Sequence, residues 1–297
     1  MKLFQKYQGQ HRISQVYLKQ FGYAKNEQWY ISVWDKSKKY TDFVLVENFS
    51  KETNIFDLPV YDEKQIRYFE NASSLIESEY TKVVNTIRRQ QQLIPKHHDL
   101  LCHFMSMLLS KSRKNSELLI EFLNSTNSRK PFLQIITKFD DAEYQKLCSS
   151  LGLLQKEYHL NYVLGHVVNH LVYMLRQFHF VILESYMNRG WFTSDNPVII
   201  DYEDGYNSTI EDYLMFITYQ CEIYFPLSSR YCLFAYHPNS IHQSNKQRNY
   251  KPNRIYKTDE ILHKEICDKI VFNESEYFIL NQEIEPIKLD ERPTSKL

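Results

Sequence analysis

Glycine is scarce in this chain, with only 6 among 297 residues. None belongs to a Gly-x-Gly pair or to the Gly-x-x-x-x-Gly-Lys loop whose backbone N–H groups cradle phosphates. The Gly-x-Ser-x-Gly nucleophile elbow is missing as well. The sequence therefore disfavours P-loop and Rossmann nucleotide enzymes, and it offers no usual serine-hydrolase site.

Paired cysteines, net charge and long apolar runs are also absent. The 5 cysteines include no Cys-x-x-Cys pair, which favours a reducing compartment over a zinc ribbon or a disulfide framework. Because 36 basic residues balance 36 acidic ones, nucleic acid is a possible partner without support from net charge. No apolar run could span a membrane and the first residues are too polar for a signal peptide, so we expect a cytoplasmic protein. The sequence identifies no cofactor.

Aromatic side chains are abundant, and apolar periodicity predicts an α+β fold. Alternation predicts an N-terminal β-hairpin from residues 29–36 and 42–49. Spacings of three and four predict an all-helical middle. Its predicted helices cover residues 62–93, 98–112, 116–124 (with Ser116 as N-cap), 140–154 and 157–185. A small, mostly antiparallel C-terminal sheet follows, with a helix at 258–273, and the two β parts could form one sheet. We expect one domain over residues 1–282 and a loose tail over 283–297.

A polar box interrupts the aromatic strand "GWFTSDNPVII", which begins at residue 190. Local chemistry favours a turn, because Ser194 and Asp195 can bond to backbone donors and Asn196 precedes a proline. The alternative is a site, since adjacent polar residues within an apolar strand must be hydrogen-bonded or wet. A serine hydrolase that uses Ser194 is a minor variant.

Two further stretches could carry chemistry. In "QHRISQVYLKQF" the polar members are His11, Gln15 and Tyr17, and His11 could be a general base or a metal ligand. A carboxylate could come from "IESEY", where the choice between Glu77 and Glu79 stays open.

The remaining candidates are less specific. His166 and His170 share one helix face, but no carboxylate accompanies them, so ordinary hydrogen bonding is favoured over metal binding. Basic stretches at residues 36–39, 111–114 and 246–254 are interpreted first as solvated loops and helix ends.

The order of these motifs resembles a widespread, mainly bacterial family that is labelled only as a domain of unknown function. The resemblance rests on His-x5-Tyr-Leu-x-x-Phe from His11, on Thr-Ser-Asp-Asn-Pro from Thr193, and on the Pro-Leu-Ser strand from Pro226. It covers roughly residues 9 to 282. It implies that His11 and the polar box belong together, and that Arg113 takes the place of an Arg in the family's middle helices. It implies no reaction.

Two functional hypotheses fit these residues. The first is a hydrolase of phosphodiesters or nucleotides, for which a toxin or defence effector is one use. In it His11 is the base or a ligand, Asp195 orients His11 or holds a divalent metal, and Glu77 or Glu79 completes the set. Its substrate would be positioned by polar and basic side chains, namely Ser194, Asn196, Gln15, Tyr17 and Arg113. The second is a non-enzymatic binding or regulatory protein, in which the same polar residues form a structural network.

Overall fold

The computed structural model describes residues 9–59, 66–202, 217–240, 249–272 and 275–280. The predicted tail at 283–297 and part of the basic stretch at 246–254 lie outside these residues. The division into one domain and a tail stays a prediction.

The N-terminal part is a set of short strands around one long hairpin. Its elements are β1 (Gly9–His11), α1 (Gln15–Leu18), β2 (Tyr23–Lys25), β3 (Gln28–Asp35), β4 (Tyr40–Leu45) and β5 (Lys51–Thr53). The predicted hairpin is confirmed, since β3 and β4 pair antiparallel in register from Tyr30↔Leu45 to Asp35↔Tyr40. Side chains alternate along β3, so Ile31 and Val33 enter the core.

The middle of the chain is helical, as predicted. It contains α2 (Tyr68–Gln90), α3 (Pro95–Lys111), α4 (Arg113–Asn124), α5 (Arg129–Ile136), α6 (Asp141–Leu153) and α7 (His159–Leu175). Helix α5 was not predicted. The predicted N-cap of α4 is wrong, because Ser112 Oγ accepts the hydrogen bond from the backbone N–H of Asn115 and Ser116 lies inside the helix.

The prediction of one helix over residues 157–185 is also wrong. Helix α7 ends at Leu175, and β6 (His179–Glu184) follows it. The run from Phe180 to Leu183 is buried throughout. A strand covered on both faces has no alternation, so its periodicity cannot be distinguished from that of a buried helix.

The C-terminal part is the predicted mostly antiparallel sheet. Its elements are β7 (Thr193–Ser194), β8 (Ile199–Tyr202), β9 (Cys221–Pro226), β10 (Tyr231–Tyr236), β11 (Ile255–Lys257), α8 (Glu260–Phe272) and β12 (Tyr277–Leu280). Five strands run in the order β11-β6-β10-β9-β8, with only the β11–β6 pair parallel.

A second sheet joins the two ends of the chain. Strand β12 pairs with β3 on one side and with β7 on the other, while β4 pairs with the free edge of β3. The two β parts therefore share a sheet. This pairing places the polar box, whose first two residues are β7, in the same sheet as the N-terminal hairpin.

Two buried clusters hold these layers together. The larger lies between the helices and the sheets and includes residues from Ile13 to Ile279. The smaller packs α8 on the sheets around Trp191 and Phe234. No helix of the described part is long and apolar enough to cross a membrane.

Candidate functional site

A cleft of about 380 Å³ lies over the β3–β4 hairpin, on the face that carries Val33. Alternation along paired strands puts every second residue on this face. The floor of the cleft is therefore formed by cross-strand neighbours from the two strands, namely Val33, Asp35, Tyr40, Asp42 and Val44. The acidic and aromatic members give the floor both polar and apolar surface.

The walls of the cleft come from four other parts of the chain. One wall is the segment 48–52 together with Arg12 and Ile13, and the other side is formed by Arg113, Asp195, Glu276 and Tyr277. The hairpin, the N-terminal strand, a helix start and the β7–β12 pair thus meet here. Asp195 and Arg113, two of the residues predicted from sequence, line the same cleft.

Asp195 is positioned by the turn that ends β7. Ser194 Oγ accepts a hydrogen bond from the backbone N–H of Asn196 and donates one to the Asn196 carbonyl oxygen. The Asp195 N–H donates to the Tyr277 carbonyl oxygen, and the carboxylate accepts from the backbone N–H groups of Glu276 and Tyr277 at 3.1 and 3.2 Å. The polar box is therefore a turn that fixes one carboxylate beside the first residue of β12.

Two carboxyl groups that line this cleft have very different affinities for protons. Burial raises the pKa of Asp195 to about 6, against the lowering effect of its backbone hydrogen bonds. The hydrogen bond from Ser37 and the contacts with Lys38 lower the pKa of Asp35 to about 2. Asp35 is thus a permanent carboxylate, while Asp195 exchanges its proton near neutral pH.

Arg12 is the most firmly held cation of the cleft. It binds both carboxylate oxygens of Glu52, and its remaining N–H groups reach the Lys111 carbonyl and the Ser116 hydroxyl. These bonds leave Arg12 well anchored, with only 19% of its side chain exposed.

Arg113 contrasts with Arg12. It pairs with Glu276 at 3.3 Å, and more than half of each side chain is exposed. Such an exposed ion pair stabilises the fold by less than about 1 kcal/mol. Arg113 can therefore leave Glu276 and bind another anion at little cost.

His11 does not line this cleft. Its Nε2 lies 3.0 Å from the Glu47 carbonyl oxygen and 3.3 Å from Gln15 Nε2. A carbonyl oxygen only accepts, so the ring proton is on Nε2. Burial lowers the pKa of His11 below its usual value, which keeps the ring neutral at pH 7. None of these hydrogen bonds joins His11 to Asp195.

The register of α2 separates the two glutamates that the sequence left open. Glu79 points outward and pairs with Lys82. Glu77 points inward, 3.8 Å from Lys111 Nζ, and burial raises its pKa. Lys111 is 3% exposed and pairs with Glu70 at 2.9 Å. Lys111 therefore does not belong to a solvated basic patch.

The other predicted residues serve the interior. Tyr17 is completely buried, and its hydroxyl bonds to Thr193 Oγ1 at 2.5 Å. Ser194 and Asn196 are buried too. The Tyr17–Thr193 bond joins α1 directly to the polar box, which agrees with the idea that the two motifs belong together.

Sequence reasoning missed several residues of the cleft. Asp42, Lys51 and Glu52 were not predicted, and neither was Arg12, which directly follows His11. The alternation of "YTDFVL" could have placed Asp42 on the same face as Val44. Within the part of the chain that the structure describes, no group of three or more His, Cys, Asp or Glu could hold a metal ion.

These features define an α+β protein with a mixed-charge cleft above a β-hairpin. Residues 9–284 match the family described as Protein of unknown function (DUF4238), and the chain belongs to this family. No curated protein and no solved structure matches the chain.

Proposed function

We propose that the protein is a hydrolase of phosphodiesters or nucleotides, and that the cleft above the β3–β4 hairpin is its active site. The observation that carries this proposal is the meeting of Asp195, Arg113 and Lys51 in one cleft. Asp195 would be the general acid–base group, and the two basic side chains would bind the phosphate.

The acid–base role of Asp195 is supported by its proton affinity and its position. A general base works best when its pKa lies near the operating pH, and burial raises the pKa of Asp195 to about 6. The bonds to Glu276 and Tyr277 hold the carboxylate in one orientation at the cleft wall. Above pH 6 it can take a proton from an attacking water.

The phosphate-binding role follows from the two least constrained cations. Arg113 is held by an exposed ion pair with Glu276, which a phosphate oxygen can replace. Lys51 is exposed and lines the same cleft. Together they would supply positive charge near Asp195.

In this proposal His11 and Gln15 are positioning residues. His11 contacts Glu47 and Gln15 contacts His11, and the segment from 48 to 52 that follows Glu47 forms a wall of the cleft. Glu77 lies outside the cleft and would act through Lys111, since Glu77 is close to the Lys111 ammonium and the Lys111 carbonyl oxygen accepts a hydrogen bond from Arg12. Replacement of these residues is expected to change substrate affinity more than the chemical step.

The test is hydrolysis of a panel of activated phosphodiesters and nucleotides by wild type and Asp195→Asn. The Asn side chain can still accept both backbone N–H bonds through one oxygen, so the fold is retained. We expect the loss of a general base to lower kcat by about 10²–10⁴-fold. Asp201→Asn is the matched control, since Asp201 pairs with Lys269 outside the cleft. Equal activity of Asp195→Asn and wild type would refute the proposal.

A second candidate is a non-enzymatic binding or regulatory protein. The buried bond between Tyr17 and Thr193 favours it, since this bond and the turn at Ser194 tie the chain ends together. Under this alternative, Asp195→Asn leaves ligand binding intact and no panel member is hydrolysed. His11→Ala then lowers the melting temperature, because the Glu47 carbonyl oxygen loses its hydrogen-bond partner.

A further inference from the structure

A row of three side chains crosses the floor of the cleft. Asp35 of β3 pairs with Tyr40 of β4 on one side and with Tyr277 of β12 on the other. Residues that lie directly opposite each other on paired strands point to the same face of the sheet. All three side chains line the cleft. The two tyrosines therefore flank one carboxylate on the cleft face.

The carboxylate in the middle of the row is short and turns back to its own chain. Asp35 Oδ1 accepts hydrogen bonds from the Ser37 N–H, the Ser37 hydroxyl and the Lys38 N–H. Tyr40 and Tyr277 lie on strands that are two spacings, or about 9–10 Å, apart. A flat ring stacked between two others needs about 7–8 Å, which is twice the optimal separation of carbon atoms. The row therefore leaves a slot that is wide enough for one flat ring.

Both sides of this slot can contact a ligand. Tyr40 is 43% exposed, and the ring of Tyr277 is supported edge-on by Phe49, with 6.0 Å between the ring centroids. The Lys38 ammonium lies 5.8 Å from the Tyr40 ring centroid and pairs with Asp35 Oδ2 at 3.0 Å. Because 62% of the Lys38 side chain is exposed and Asp35 keeps its other hydrogen bonds, Lys38 can move aside at little cost.

We propose that this slot binds the base of a nucleotide, and that nucleotides rather than base-free phosphodiesters are the substrates of the cleft. This inference rests on the proposed function, because the phosphate of the same ligand is assigned to Arg113 and Lys51. Aromatic side chains bind bases by stacking, for which every base has a π-face. Asp195 lies beside the slot, since its carboxylate accepts the Tyr277 N–H at 3.2 Å. A base in the slot would therefore hold the rest of the nucleotide near the proposed general base.

Charge and hydrogen bonding favour a nucleotide over other flat or cationic ligands. A cationic ligand would meet Lys38, Lys51 and Arg113, whereas the anionic phosphate of a nucleotide complements them. Asp42 is exposed on the same face, two residues after Tyr40. Its carboxylate can accept a hydrogen bond from an N–H or amino group at the edge of a base, which a plain hydrocarbon ring does not offer.

The test is isothermal titration calorimetry of the full chain with AMP, GMP and ribose 5-phosphate, which carries the same kind of phosphate without a base. The tighter of the two nucleotides should bind at least about tenfold more tightly than ribose 5-phosphate, since stacking of one base supplies this much. Tyr40→Ala should abolish the difference and leave ribose 5-phosphate binding unchanged, while Tyr40→Phe should retain it. Phe43→Ala is the matched control, because Phe43 is 62% exposed on the opposite face of β4 and contacts Tyr23.

The outcomes separate this inference from the proposed hydrolase. Equal affinity for the nucleotides and ribose 5-phosphate, or a difference that persists in Tyr40→Ala, would overturn the inference even if the protein hydrolyses phosphodiesters. A Tyr40-dependent difference in a protein that hydrolyses no member of the panel would support the base-binding slot and refute only the hydrolase. A chain that binds none of the three compounds would overturn both proposals.

Discussion

Replacing Asp195 with Asn should change how stability depends on pH. Burial raises the pKa of Asp195 from 3.8 to about 6. Between these values the folded state keeps a proton that the unfolded state has lost. The stability linked to this proton is fully present below about pH 4 and is lost as the pH rises through about 6.

The size of the effect follows from the shift. About two pKa units correspond to about 3 kcal/mol of unfolding free energy, and partial exposure reduces this figure to about 2–3 kcal/mol. The variant's Asn is neutral at every pH and keeps the backbone bonds to Glu276 and Tyr277. The variant should therefore gain about 2–3 kcal/mol relative to wild type between about pH 4 and pH 8.

Urea unfolding followed by tryptophan fluorescence at several pH values measures this difference. Subtracting the wild-type curve from the variant curve removes the contributions of all other titrating groups. A difference that is flat with pH would show that Asp195 titrates normally. A variant that loses stability relative to wild type as the pH rises would show that the backbone hydrogen bonds of Asp195 outweigh its burial, and would refute the reasoning.

Three further predictions concern buried and exposed polar groups. Tyr17→Phe leaves the Thr193 hydroxyl buried without its partner, so thermal denaturation should show a loss of about 1–3 kcal/mol; no loss would mean that another group satisfies it. Lys111→Ala leaves the partly buried carboxylates of Glu70 and Glu77 without their cation and should cost about 3 kcal/mol in urea unfolding. Lys82→Ala removes an exposed pair with Glu79 and should cost less than about 1 kcal/mol in the same assay; equal costs would contradict the burial argument.

A break between two helices explains why one basic stretch was misjudged. Residues 111–114 form a basic cluster in the sequence, but α3 ends at Lys111, Ser112 has extended backbone, and α4 begins at Arg113. Lys111 at the end of α3 therefore enters the interior beside Glu70, while Arg113 at the start of α4 reaches the cleft. Composition alone could not separate them.

The polar box was the feature of the sequence that best indicated where the candidate site lies. Its turn-forming residues predicted both a turn and a site, and the structure has Asp195 at a cleft because the turn at Ser194 holds it there. The other half of the site depends on the pairing of β12 with β3, two strands from opposite ends of the chain. Because no local pattern specifies the register of such distant strands, the sequence could suggest that Asp195 meets the hairpin but could not establish it.

His11, unlike Asp195, does not line the cleft. The family resemblance implied that His11 and the polar box belong together, and Tyr17 of the same motif does contact that box. His11 itself turns to Glu47, because the short strand β1 pairs with β5 and lies beside the segment that leads into it. The face on which a side chain of a three-residue strand lies depends on the strand it pairs with, and the sequence does not identify that strand.

The most direct test of the central claim is the pH dependence of kcat/KM for phosphodiester hydrolysis. If Asp195 in the cleft is the general base, the wild-type rate should fall below an apparent pKa near 6, and Asp195→Asn should lose both the rate and this dependence. Hydrolysis that persists in Asp195→Asn with the same pH profile, or no hydrolysis of any panel member by wild type, would contradict the account.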